Sequence, residues 1–195
     1  VKVNGQLAGA IHQGSFYRFS YDVTKLLKPG TKNLLEVKVS KMSKDASVNN
    51  AERLADYWVF GGIFRPVYLE AKPLANIEKV GIDATHKGDF SMGVWCSSNL
   101  AKGWVQATIM DERQKVVGTT KTNITGNDLY VNLFTKVNNP VSWNAERPTL
   151  YTVKVELFGA GGKKQHEVHE KFGFRTVTVK RGEGVFVNDV QVKFK

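Results

Sequence analysis

Asp56-Tyr57-Trp58 places an acid beside two aromatics, and Phe60 and a Gly61-Gly62 pair follow. A carboxylate takes protons from hydroxyl groups, and an aromatic face lies flat against C–H surface. Together they suit a polar ring-shaped ligand such as a sugar, with Asp56 and Trp58 as its contacts. A second reading stands beside this one. Asp56 also fits a loop acid that satisfies nearby backbone N–H groups, and Trp58 fits a hydrophobic plug. Arg65, alternating with apolar residues just beyond, suits a buried structural ion pair.

Other constellations fail on spacing. His166-Glu167-Val168-His169-Glu170 suggests a zinc protease, but that chemistry needs two histidines at i and i+4 on a helix. Here they are three apart, which on a strand puts them on opposite faces. Gly159-Ala160-Gly161-Gly162 lacks the lysine and following helix of a phosphate loop. Gly61-Gly62 precedes a strand pattern, so it offers no helix N-terminus to an anion. Glycoside chemistry needs two carboxyl groups flanking one bond, and nothing in the spacing pairs two of the acids. No catalytic residue and no metal ligand is assigned.

The elements that would carry these residues are strands. From Ile63 the chain alternates, with Ile63, Arg65, Val67 and Leu69 on one face and Phe64, Pro66, Tyr68 and Glu70 on the other. Tyr17, Phe19 and Tyr21 alternate on another strand, and Leu35, Val37 and Val39 on a third. Asn4-Gly5 predicts a tight hairpin turn. Asp22–Leu27 is the one helical turn expected, capped by Asp22 or Thr24 and ended by Pro29-Gly30. Lys41–Tyr57 reads as a long polar loop. After Lys72-Pro73-Leu74, which reads as a linker, seven strands are expected near 77–85, 90–97, 103–110, 115–122, 128–137, 150–158 and 166–179. Turn residues separate them. The tail, with Asn188-Asp189 as its turn, reads as a hairpin. The fold class is all-β: a partial jelly-roll sandwich followed by an immunoglobulin-like sandwich. The expected divisions are 1–72, 75–179 and a hairpin over 180–195.

Composition narrows the partners. The 195 residues carry a net charge of +10, which raises nucleic acid as a partner. The lysines mostly alternate with apolar residues, no basic run exceeds a pair, and no nucleic-acid motif is present, so that partner is rejected. No apolar run approaches the ~20 residues of a membrane helix, so no membrane partner is expected. A single cysteine, Cys96, permits no internal disulfide and leaves cytosol and periplasm both open. The chain opens on a strand pattern rather than on Met, and it reads as a segment of a longer protein.

These blocks, in order, resemble glycoside hydrolase family 2, the family of β-galactosidases, β-glucuronidases and β-mannosidases. Val3-Asn4-Gly5-Gln6 with Gly9, His12, Gly14, Phe16 and Phe19 resembles its first strand pair. Asp22-Val23-Thr24 and Lys28–Leu35 resemble its "D-(I/V)-T…G-x-N-x-L-x-V" segment, and Asp56–Leu69 its "D-x-W…GGI-(F/Y)-R-x-V-x-L" signature. Trp143 with Pro148, Leu150 and Tyr151 is similar to "W…P-x-L-Y", and Phe172-Gly173-Phe174-Arg175 to "FGFR". The tail resembles the hairpin that leads into the family's barrel, with Asp189 where Gly is usual.

The resemblance implies a sugar-binding jelly roll, an immunoglobulin-like sandwich and then a (β/α)8 barrel that bears two catalytic Glu residues, outside this chain. It implies a retaining exo-β-glycosidase, with β-galactosidase favoured, whose N-terminal region is inactive alone. Asp56 matches the acid that reaches the nonreducing sugar and, in some β-galactosidases, ligates a monovalent cation; no other cofactor is implied. Gly61 and Gly62 would supply the backbone freedom for that loop, and Arg175 would anchor the domain near the barrel. The implied partners are a carbohydrate substrate held with the barrel and, through open strand edges, a second copy of the chain. The alternative is a free-standing carbohydrate-binding or adhesion module.

Overall fold

A computed structural model describes residues 1–14, 17–54, 61–97, 102–125 and 129–193. The chain separates into two compact units, Val1–Leu69 and Glu70–Lys195.

The second unit is a β-sandwich. Its strands are β4 (Ile77–Ala84), β5 (Asp89–Cys96), β6 (Lys102–Met110), β7 (Val116–Thr125), β8 (Tyr130–Lys136), β9 (Tyr151–Gly159) and β10 (Lys164–Phe172). One sheet has the order β10-β9-β6-β7 and the other β4-β5-β8, all antiparallel. Alternation explains why they pack. Phe90, Met92 and Val94 of β5 turn inward, as do Val105, Ala107 and Ile109 of β6 and Val153, Val155 and Leu157 of β9. Burying each such large aliphatic or aromatic side chain contributes about 1.5–3 kcal/mol before chain entropy is charged against it. Cys96 sits in this core, where burial and then the nearby Glu78 push its thiol up to about 11. It is an inert packing residue at neutral pH.

The seven strands expected from the sequence are present, with one revision. The segment 166–179 is two elements rather than one. β10 ends at Phe172, and the chain then crosses to β11 (Val177–Lys180), which pairs with β12 (Gly184–Val187). β12 in turn pairs with β13 (Val190–Val192) through a turn at Asn188-Asp189. Both turn residues have positive φ, +53° and +66°, the conformation a two-residue hairpin requires. The tail hairpin therefore gains a third strand.

The first unit departs further from expectation. Its ladder consists of β1 (Lys2–Val3), β2 (Gln6–Leu7) and β3 (Leu35–Glu36), in the order β2-β1-β3. Asn4-Gly5 makes the predicted turn, at φ +51° and +81°. The Asn4 side chain also donates to Leu26 O and accepts from Leu34 N–H, which fastens the turn to distant loops. The alternating segments 17–21, 37–39 and 63–69 form no strand. Alternation prepares a face, but a strand exists only where a neighbour completes its ladder, and no described segment does so here. Asp22–Leu27 is a single turn, with Thr24 N–H donating to Asp22 Oδ1, and not a helix.

The one α-helix among the described residues, α1 (Ala46–Arg53), lies inside the expected loop. Asp45 caps it by accepting from the backbone N–H groups of Ser47 and Val48, and the Ser47 hydroxyl first, then these backbone bonds, hold its carboxyl below the usual range. The helix buries no residue. It therefore has no apolar stripe to betray it, and local capping alone marks it.

Candidate functional site

Asp56 and Trp58 lie outside the described residues. Their downstream neighbours are described. Gly62 has φ +98°, a conformation that costs an L-residue strain and glycine none. Gly61 has no such need, and an added Cβ would meet only ordinary contact with Lys41. Of the glycine pair, the second is the one whose backbone requires glycine.

Arg65 corrects the expectation of a buried ion pair. It is exposed and on no strand, and its guanidinium lies 5.3 Å from the centroid of the Phe64 ring. The reason is the missing ladder: among the described residues no opposing strand pairs with this segment. Among the described residues Arg65 has no acidic partner.

His166 and His169 do point to opposite faces. His166 turns toward β4, where its Nδ1 accepts from Ile77 N–H at 3.0 Å. His169 stays exposed and pairs with Glu167 at 2.7 Å. Lys164 reaches the same carboxylate, also at 2.7 Å. Those two bonds, Lys164 first, hold Glu167 down at about 2. Among the described residues no group of three His, Cys, Asp or Glu side chains could hold a metal ion.

The most constructed part of the second unit is the crossing from β10 to β11. Phe172 and Phe174 both point inward and pack with Tyr151, at centroid separations of 4.9–6.0 Å within the trio. Gly173 between them faces outward, directly under Trp143. An added Cβ at Gly173 would stand 2.6 Å from Trp143 Cβ. Trp143 is held there because its N–H donates to Phe174 O at 2.9 Å. On the other flank, Arg175 N–H donates to Ala84 O at 2.8 Å. The Arg175 guanidinium then lies 4.7 Å from the Trp143 ring centroid, a cation–π contact.

The crossing continues into the hairpin turn. Thr176 and Asn188 exchange a reciprocal pair of bonds: Thr176 N–H donates to Asn188 Oδ1, and Asn188 N–H donates to Thr176 O. The Asn188 amide also donates to Trp143 O at 2.9 Å. His86 Nδ1 stands 2.8 Å from Thr176 Oγ1, and His86 Nε2 3.3 Å from the Asp189 carboxylate. Asp189, the departure from the family's usual Gly, thus faces an imidazole across the turn.

Beside the crossing runs an open groove of about 610 Å³, lined among others by Trp143, Leu150, Arg175, Val177, Asp83 and Glu170. Its carboxylates, Asp83 and Glu170, are exposed side chains. The groove offers packing surface, a guanidinium and an indole. It can hold and orient, and it carries no reacting pair. The sequence marked Trp143, Gly173 and Arg175 separately, as parts of motifs, while their contact is a product of folding. His86 and Thr176 carried no signal at all.

A sequence model of the glycosyl hydrolases family 2 matches residues 76–175, just over half of the chain and nearly the whole sandwich. The chain belongs to that family. A Formosa agariphila protein named as a β-glucuronidase is 31% identical over 98% of the chain. A β-galactosidase of Thermoanaerobacter pseudethanolicus is 26% identical over the whole of it. The chain spans only 23% and 27% of those two family 2 relatives, about a quarter of their length. The fold is shared with Bacteroides uniformis β-glucuronidase 2, solved covalently bound to cyclophellitol-6-carboxylate aziridine. The match has a TM-score of 0.78 and 23% identity, and it covers 99% of this chain and 25% of that one.

Proposed function

We propose that this chain is the non-catalytic N-terminal region of a retaining exo-β-glycosidase of family 2, acting on terminal β-linked sugars, with β-galactosides the first substrate class to test. The observation that carries the reading is the span of the match. The relatives named for glycosidase activity align over essentially all of this chain, yet the chain accounts for about a quarter of them. In this reading both carboxyl groups of the retaining mechanism lie elsewhere in the whole enzyme, roughly 5–5.5 Å apart. Asp56 contributes a hydrogen-bonding carboxylate to the nonreducing sugar and, in a β-galactosidase, a ligand to a monovalent cation. Gly62, with its positive φ, supplies backbone freedom downstream of Asp56.

The test uses the whole protein and this chain side by side. The full-length enzyme is expected to release aryl aglycone from a panel of β-galactoside, β-glucuronide and β-mannoside, and the chain alone to release none. Asp56→Asn in the full-length enzyme is expected to raise KM or lower kcat for the sugar that is cleaved. Wild-type kinetics for that variant would remove Asp56 from the site. Turnover by the 195 residues alone would overturn the non-catalytic assignment. A full-length protein that cleaves nothing yet binds sugar would favour the binding-module reading instead. The open strand edges of the first unit further predict self-association, and a strictly monomeric mass in light scattering would count against it.

A further inference from the structure

The outer face of the sheet β4-β5-β8 is built from facing rows of side chains. Lys79, Trp95 and Tyr130 make one row, Gly81, Gly93 and Asn132 the next, and Asp83, Ser91 and Phe134 the third. The middle row is nearly bare. The aromatics of the first row lean over its glycines: a Cβ on Gly93 would meet Tyr130 Oη at 2.7 Å, and one on Gly81 would meet the Trp95 ring at 3.4 Å. Trp95 and Tyr130 pack at 4.7 Å between centroids, and the Lys79 ammonium lies 4.8 Å from the Trp95 ring. At the far end Phe134 is 67% exposed. It flanks a trough of about 300 Å³ that is also lined by Asp83, Ser91, Thr85 and Asp89.

The polar groups of this face are free to bind. Tyr130 Oη donates to Asn132 Oδ1 at 2.6 Å, which fixes that amide and leaves its NH2 without a partner among the described residues. The Asp83 carboxylate and the Ser91 hydroxyl likewise have none there. The cations are engaged, Lys136 with Asp89 at 3.0 Å and Lys79 on the indole. Asp83 is the trough carboxylate with no ion pair among the described residues, and it disfavours an anionic ligand. Tyr130 and Phe134 lie on one strand and one face, roughly 13 Å apart at ~3.3 Å per residue, which is longer than one sugar ring.

We propose that this face is a surface site for a neutral, β-linked oligosaccharide chain. Phe134 and Tyr130 are its two aromatic stations. Asp83, Ser91 and Asn132 are its hydroxyl partners, and the glycine row is the floor that lets the Tyr130 and Trp95 rings lie low on the sheet. Exposed rings that flank free acceptors and donors match carbohydrate C–H and O–H groups. A protein partner would instead call for a dry apolar core, whereas this face intersperses its rings with Lys79, Asp83, Ser91 and Asn132. The proposal does not depend on catalysis or on Asp56.

The experiment is a 1H–15N titration of the 195-residue chain with β-1,4-galactotetraose and with cellotetraose, and with tetragalacturonate as the anionic comparison. Saturable shifts are expected at outward residues of β4, β5 and β8 with one or both neutral tetrasaccharides, and weaker or no shifts with the uronate. Phe134→Ala, at an exposed position that folding does not need, is expected to weaken binding about tenfold or more with an unchanged melting temperature. Asp83→Asn is expected to weaken it less and to narrow the discrimination against the uronate. No shifts on this face with either neutral probe would overturn the proposal. So would equal binding by the Phe134 variant, or shifts that appear with protein concentration alone and so assign the face to a second copy. None of these outcomes would alter the full-length hydrolysis assay, so the two readings fail separately.

Discussion

Trp143 stands where a side chain on residue 173 would have to go: its Cβ is 2.6 Å from the position a Cβ on Gly173 would take. The glycine of Phe172-Gly173-Phe174-Arg175 is therefore required by a close approach from a residue thirty positions earlier. Its φ is not in the left-handed region, so backbone freedom is not the reason.

Gly173→Ala follows from that contact. Trp143 cannot slide away cheaply, because its N–H is bonded to Phe174 O and its carbonyl to the Asn188 amide. Overpacking of this kind costs about 1–3 kcal/mol. Urea unfolding of the variant should show a loss in that range. A loss below about 0.5 kcal/mol, the scale of an ordinary surface change, would mean Trp143 is not held.

Asn188→Ala removes both side-chain bonds that tie the hairpin turn to the crossing, those with Thr176 N–H and Trp143 O. It also puts alanine at φ +53°, which disfavours a residue without a short polar side chain. We expect a destabilisation of about 2–4 kcal/mol. Asn188→Gly relieves the dihedral cost and should recover only part of it. Wild-type stability of Asn188→Gly would show that the side-chain bonds contribute nothing, and equal stability of the two variants that the dihedral cost does not.

His166 makes the sandwich sensitive to acid. Burial first, and then Lys72, hold its imidazole below the ordinary value of 6.5, and its Nδ1 must be unprotonated to accept from Ile77 N–H. The unfolded state therefore binds this proton more readily than the folded one. The stabilisation is present in full above about pH 6.5 and is lost as the pH falls through the lower folded value. The melting temperature should fall between pH 7 and pH 5. His166→Asn keeps an acceptor that cannot be protonated, and it should flatten that part of the profile. Identical profiles would exclude His166 as the cause.

The sandwich strands were legible because each carries its own instruction. Along Asp89–Cys96 and over 104–110 buried and less buried residues alternate strictly, and a sequence displays that directly. The same alternation misled at 17–21, 37–39 and 63–69, where it is not matched by a ladder. The helix at Ala46–Arg53 was invisible for the opposite reason. It buries nothing, Val48 is its one large apolar side chain, and the Asp45 cap is its clearest local sign.

From its residues alone, this protein was readable as an all-β chain of family 2, with the turns at Asn4-Gly5 and Asn188-Asp189 and the positions of its sandwich strands along the chain. Those properties depend on near neighbours: the pleat sets every second residue on one face, and a two-residue turn selects the residues that tolerate positive φ. Only the tertiary structure decided that Trp143 covers Gly173, that His166 meets Ile77 N–H, that Arg65 is left exposed and that Gly81 and Gly93 floor an aromatic face. Each of these is a contact, or its absence, between elements far apart in sequence or on separate strands. No local pattern encodes which surfaces the folded backbone will bring within a few ångströms of each other.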